Sequence, residues 1–348
     1  MGVMDIFTKR PKLRWFVPVV FASAALAIPL ASGAIFADDD TPALPKKTAQ
    51  ELLTDMRDSE VDGFSGTLVK NADLGLPSLG GDADFAALSG GTHTLRVWSA
   101  GSDKTRVALL GELGESDWIH NGKDAWFWSS EDNSVIHEKL DASEQPAPPN
   151  ASHTPDQAAD EVLGLLGPNT DVATDGTTRV ASRDAYELVV KPRTDTSLIG
   201  EVRIAIDAEK SVPLSVQMFT KTGTKPAFEV GFTHIDFQKP GDEHFRFTPP
   251  PGAKVSEGYD NAGDKAWEDM INEGTFVGEN WEAVWVGNGA NLDEEAQRMI
   301  RALPAANGEW GRGHILESKL FSVLITDDGQ IYVGAVTPER LYEAANSK

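Results

Sequence analysis

Antiparallel sheet carrying a few short helices, an α+β arrangement, is the fold class predicted for this chain on three observations. Two stretches, 92–140 and 185–238, break into short runs rich in β-branched and aromatic residues with turn residues between them, the grain of a meander. Helical patterns are short, capped and placed outside those runs. From residue 262 to 348 helical and strand-like segments alternate, which marks a second, smaller α+β unit. An apolar content of 40% in 348 residues is enough to bury a core in both.

The N-terminus reads as an export segment. Lys9, Arg10, Lys12 and Arg14 precede an uncharged run from Phe16 to Phe36, the order of a basic head and an apolar stretch. Two readings fit residues 1–37: a signal peptide cleaved after Ser32-Gly33-Ala34 or near Ala37, or an N-terminal membrane anchor, since an uncharged run of this length just spans a bilayer. In both, the remainder is exported and lies outside the cytoplasmic membrane. The absence of cysteine excludes disulfide staples and a lipidated N-terminal cysteine.

A linker at 38–47 leads to an amphipathic helix over 49–58, with Thr48 as its cap and Leu52, Leu53 and Met56 on one face. FSGTLV (64–69) is strand-like, and 71–91 mixes Gly, Pro, Asp and small apolar residues without a period, as a long loop does. The strands of the first meander are THTLRVWS, TRVALLGE, SDWIH, DAWFWSS and SVIHEKL, separated by GSDK, NGKD and SEDN. A helix over 155–167 opens with Thr154 as cap, Pro155 in first position and Gln157 three residues after the cap, and has Ala158, Val162, Leu165 and Leu166 on its apolar face. The second meander is AYELVVKPR, IGEVRIAID, VPLSVQMFT and AFEVGFTHIDFQ, with FRFTPPPGAKV closing it. The second unit, 262–348, reads as helix AWEDMINEG, strand WEAVWVG, helix LDEEAQRMIRALP capped by Asn291, strand LFSVLIT, turn DDGQ, strand IYVGAV and a helix opened by Thr337-Pro338.

The net charge is −23, and residues 1–37 hold four basic side chains and one acidic one, so the remainder is more acidic still. Such a surface is soluble and repels nucleic acid and anionic head groups. No nucleic-acid partner is expected, and any lipid contact has to be apolar and enclosed.

The residue patterns of catalysis are missing. GFSGT around Ser65 lacks the Gly-x-Ser-x-Gly order, and no glycine-rich phosphate loop occurs. Histidines 93, 120, 137, 153, 234, 244 and 314 never stand two or four apart, which leaves zinc only to histidines distant in sequence. DVATDG at 171–176 lacks the remaining ligands of a calcium loop. No catalytic residue, metal ligand or cofactor is assigned, and the chain is not read as an enzyme.

GKDAWFWSS (122–130) is the unusual stretch, because alternation sends Trp126 and Trp128 to one face of a strand and Phe127 to the other. Two readings account for large apolar groups on both sides. One is an ordinary core on one face and a covering loop on the other. The other is a strongly curved sheet whose concave side holds an apolar cavity, lined by Phe64, Leu68, Trp98, Trp118, Trp126 and Trp128, with Val162, Leu165 and Leu166 of the helix and the 71–91 loop as lids and Phe127 on the outer side.

The succession AYELVVKPR, VRIAID, VPLSVQMFTKTG, FTHIDFQ and FRFTPPPGAKV resembles the end of the LolA-like family of exported lipid- and lipoprotein-binding proteins. FSGTLV after the first helix resembles the start of the RseB (MucB) N-terminal domain, and NADLGLPSLGG…SGGTHTLRVW is similar to actinobacterial members. The resemblance covers residues 48–256 and implies an unclosed, half β-barrel with helices plugging the concave side and a cavity that takes acyl chains. It implies a carrier or chaperone for lipid or lipoprotein acyl chains, with an ABC transporter as membrane partner. The unit at 262–348 is absent from plain carriers and present in RseB-like envelope-stress regulators, so the alternative is a sensor whose C-terminal domain binds an anti-sigma factor.

Overall fold

The computed structural model describes residues 43–76, 90–111, 114–140, 154–258, 273–289 and 294–347. The 1–37 segment, residues 77–89 of the expected loop and residues 266–272 of the expected helix lie outside the described residues. Helix α1 (Ala49–Arg57) is followed by β1 (Phe64–Asp73), β2 (Gly90–Ser99), β3 (Lys104–Leu110), β4 (Glu115–Asn121), β5 (Asp124–Ser129) and β6 (Ser134–Lys139). After α2 (Pro155–Gly164) come β7 (Thr170–Val180), β8 (Arg183–Pro192), β9 (Ile199–Asp207), β10 (Pro213–Thr220), β11 (Phe228–Asp236) and β12 (Lys254–Glu257).

These twelve strands form one sheet in the order β12-β6-β5-β4-β3-β2-β1-β11-β10-β9-β8-β7, open at β12 and β7. The two meanders of the sequence are therefore halves of a single sheet, and β1 is the seam, antiparallel to β2 on one side and to β11 on the other. Curling brings β7 toward β11, although three strands separate them in the order. Strand β12 is parallel to β6, the one parallel pair in this sheet among the described residues.

Paired residues share a face, so the registers sort the side chains. On the inner face Leu68, Leu95, Val97, Val107, Trp118, Leu188, Val202, Ile204, Val216, Val230 and Phe232 join one buried cluster with Leu52 of α1 and Ala158, Ala159 and Val162 of α2. Helix α2 packs on β10 and β11, and α1 lies by β7. Both helices start as the sequence predicts. Thr48 and Glu51, and likewise Thr154 and Gln157, form reciprocal capping boxes, with Pro155 in the first turn of α2. The α2 helix ends at Gly164, short of the expected 167, and Leu165 is its C-cap.

On the other face a strap returning from β11 crosses β1 to β6 before β12 joins the edge. Its 3-10 helix Asp242–Phe245 packs on β3 and β4, Phe245 is fully buried, and Asp242 pairs with Lys104.

Strands β13 (Thr275–Val277), β14 (Val284–Asn288), β15 (Ala305–Gly308), β16 (Gly311–Glu317), β17 (Ser322–Thr326) and β18 (Gln330–Gly334) form a second sheet in the order β13-β14-β18-β17-β16-β15, with α3 (Glu294–Ala302) between β14 and β15 in the chain. Helix α4 (Pro338–Asn346) covers one face, where Leu341, Ala344 and Ala345 meet Val284, Leu324 and Tyr332. The second sheet is docked on the first: Leu320, Phe321 and Trp281 enter the inner-face cluster, and the Trp281 indole donates to Thr170 Oγ1 at 2.9 Å. The Glu282 carboxylate accepts from the hydroxyls of Thr194 and Thr196 at 2.6 and 2.8 Å, which holds it below the usual carboxylate range.

Several strands depart from the sequence expectation. DVATDG belongs to β7, an edge strand whose Thr and Val alternate with polar residues and therefore lack an apolar run. The hairpin β15–β16 occupies AANGEWGRGHILE, where glycines mask the alternation. Residues 71–73 and 90–91, expected in the loop, extend β1 and β2.

Candidate functional site

Six of the nine side chains expected around an apolar cavity do meet. Leu68 and Trp118 belong to the inner-face cluster with Val162 of α2, and Phe64, Leu165 and Leu166 pack against it half-buried. Phe64 meets Phe232 edge to face, with ring centres 5.9 Å apart and planes at 89°.

The other three do not. Trp126 is paired with Ile119 and Trp128 with Asp117, whereas Trp118 is paired with Phe127, so Trp126 and Trp128 project from the outer face and Phe127 from the inner one. Trp98, paired with Arg106, is on the outer face as well. This reverses the expected orientation. Alternation fixed which residues share a face, but only the register with β4 and β3 decides which face is inner. Of the two readings of GKDAWFWSS, the structure has the covering one. Phe247 of the strap lies 5.5 Å from the Trp126 ring centre and 6.5 Å from that of Trp128, and His244 stacks on Trp98 at 5.7 Å.

The outer layer is polar beneath its aromatics. Asp117, 2% exposed, pairs with Arg106, whose guanidinium lies 5.4 Å from the Trp98 ring centre. Burial raises the Asp117 carboxyl above its ordinary value against the lowering effect of Arg106. His137 stacks on Trp126 and holds Asp124 through Nε2 and Glu257 through Nδ1.

Beyond the helices the inner wall continues in Leu109, Phe127 and Ile136, which are half-buried. The wall is not wholly apolar. Lys70, 7% exposed, alternates in phase with Phe64, Gly66 and Leu68 and therefore projects inward. It stands between His93 of β2 and Val230 of β11, with Nζ 5.9 Å from the Phe228 ring centre. Burial lowers the Lys70 ammonium to about 8, and the charge of Glu161 on α2 acts in the opposite direction. His93 is lowered by burial and by Lys70. Sequence reasoning missed these groups. The signal was available, because a lysine two residues after Leu68 is in phase with the buried positions.

No family model matches the chain, and no curated protein matches it. Among solved structures it is similar to the MucA/MucB complex of Pseudomonas aeruginosa, at 15% identity over 85% of this chain and 96% of that one, with a TM-score of 0.44. An uncharacterized conserved protein from Thermus thermophilus matches at 14% identity over 60% of this chain and 99% of its own, with a TM-score of 0.35. A LolA superfamily protein from Nitrosomonas europaea matches at 12% identity over 58% of this chain and 99% of its own, with a TM-score of 0.24.

Proposed function

We propose that the chain is an exported, non-enzymatic carrier or chaperone that holds an acyl chain of a lipid or lipoprotein against the inner face of the 48–256 half-barrel. The observation that carries this reading is the extent of the inner wall. Two helices of nine and ten residues cover its β7–β11 side, while the apolar surface runs on through Leu109, Phe127 and Ile136. On this reading the acyl chain meets Phe64, Leu68 and Trp118 of the wall and Val162, Leu165 and Leu166 of the covering helix and its end. Burying a chain is worth about 0.8 kcal/mol per methylene, so about ten methylenes supply several kcal/mol after ordering costs, enough for reversible carriage. The acidic surface supports enclosed rather than electrostatic lipid contact, and the LolA-like order of segments agrees with it. Native mass spectrometry of the purified full chain, with displacement of a fluorescent fatty acid, tests this. Co-purified lipid and displacement are expected, and finding neither overturns the reading.

A second reading, a sensor that engages a membrane partner such as an anti-sigma factor through residues 262–348, is favoured by one observation. Leu320 and Phe321 of the second sheet reach the inner-face cluster, so a ligand there bears directly on that sheet. Pull-down from membranes with and without added fatty acid discriminates the two. A partner captured only in the presence or only in the absence of the fatty acid supports the sensor.

A further inference from the structure

Lys70 sets an ammonium group into an apolar wall, where Leu68, Leu95 and Val230 are fully buried around it. An aliphatic residue would fill the same space without desolvating a charge, so packing gives no reason for a lysine at this position. Its surroundings suit an anion. The imidazole of His93 stands beside it in register on β2, and the counter-charge comes from α2, the short helix that carries Glu161 over the β10–β11 side of the wall. Glu161 belongs to the covering helix and Lys70 to the wall, so the counter-charge of this lysine comes from the cover and not from the sheet.

We propose that Lys70, with His93 beside it, is the head-group end of the acyl-chain site, where the carboxylate or phosphate of an anionic lipid takes the place that Glu161 holds in this structure. The chain then runs along Leu68, Leu95 and Trp118 on the same face. This rests on the acyl-chain reading above. Burial holds Lys70 to about 8, so at pH 7 the ammonium is charged, as pairing with an oxyanion requires.

The test uses the full chain loaded with the uncharged fluorophore N-phenylnaphthylamine at pH 7. Four competitors of one chain length are compared: dodecanoate, dodecanol, lauroyl lysophosphatidate and monolaurin. Either anion is expected to displace the probe more tightly than its neutral counterpart, by tenfold or more on the scale of one charge-assisted hydrogen bond, and the anion that does so identifies the head group. Lys70→Met is expected to abolish that preference while keeping dodecanol displacement, and Lys70→Arg to retain it. Equal displacement by acid and alcohol, or a preference that survives in folded Lys70→Met, overturns the head-group subsite and leaves the acyl-chain reading intact. Failure of the probe and of all four competitors to bind overturns both.

Discussion

The rings of Trp126 and His137 stack at 3.8 Å with 14° between their planes, on the face of the sheet opposite Trp118. The same imidazole is fastened to Asp124 on β5 and to Glu257 on β12, so it ties the last strand of the first sheet to its edge. The tryptophans of β5 are thus the bed of the strap, and their role is structural. Truncating the buried anchor of that strap, Phe245→Ala, is expected to cost about 3–5 kcal/mol in urea unfolding. Fatty-acid displacement by the variant, measured while it is still folded, should match the wild type. A folded variant with weakened displacement would place ligand on the outer face.

Asp117 and Arg106 make a buried pair beneath the same strap, and Arg106 is the more exposed of the two. Removing the cation leaves a buried carboxylate without its counter-charge, so Arg106→Met is expected to cost about 3–5 kcal/mol at pH 7. Asp117 has a folded value raised above its unfolded one. Between those values the folded chain holds the proton more often, so the penalty should shrink as pH falls toward 5. Urea midpoints at pH 7 and pH 5 check this. A double variant, Arg106→Met with Asp117→Leu, should recover most of the loss, because it leaves no charge unpaired.

Lys70 makes an opposite prediction in the alkaline range. Its folded value is about 8, and its unfolded value is the ordinary lysine value near 10.4. Below 8 both states hold the proton, and the folded state carries the full cost of the buried charge, at most about 3 kcal/mol. Between the two values the unfolded chain binds more protons, so raising the pH favours folding. Lys70→Met should therefore be more stable than the wild type at pH 7, and the gap should narrow at pH 9.5. A gap that does not change with pH would mean that the ammonium is solvated.

Much of the fold was legible because its signals are local. The capping boxes at Thr48 and Thr154 and the turn residues between β2 and β6 each depend on a few neighbouring residues. What was hidden depends on partners distant in sequence. The pairing of β1 with β11, which joins the two meanders, and the parallel return of β12 to β6 leave no periodic mark. The site divides in the same way. Alternation grouped Trp126 with Trp128 correctly, yet it carries no information about which face of a strand the covering helices select, and a segment more than a hundred residues later supplied the cover. Lys70 was legible by phase and was missed because a charged residue after an apolar run reads as the end of a strand.

Trp281 is one of the residues that seat the second sheet on the first. It is 2% exposed within the inner-face cluster, its indole donates to Thr170 on β7, and the adjoining Glu282 accepts two threonine hydroxyls. Trp281→Ala removes a large buried side chain and leaves the Gly167 amide as the donor to Thr170 Oγ1, for an expected loss of about 3–5 kcal/mol. Because the contact joins two sheets, the loss should be regional. Hydrogen exchange is expected to rise in β13, β14 and along β7 while β2–β5 stay protected, since the hydrogen bonds of Trp281 and Glu282 go to β7 and to the segment after β8. Uniform loss of protection across both sheets would instead make the chain one cooperative unit. A ligand on the inner face would then be felt equally throughout, and the sensor reading would lose its route from Leu320 and Phe321 to the second sheet.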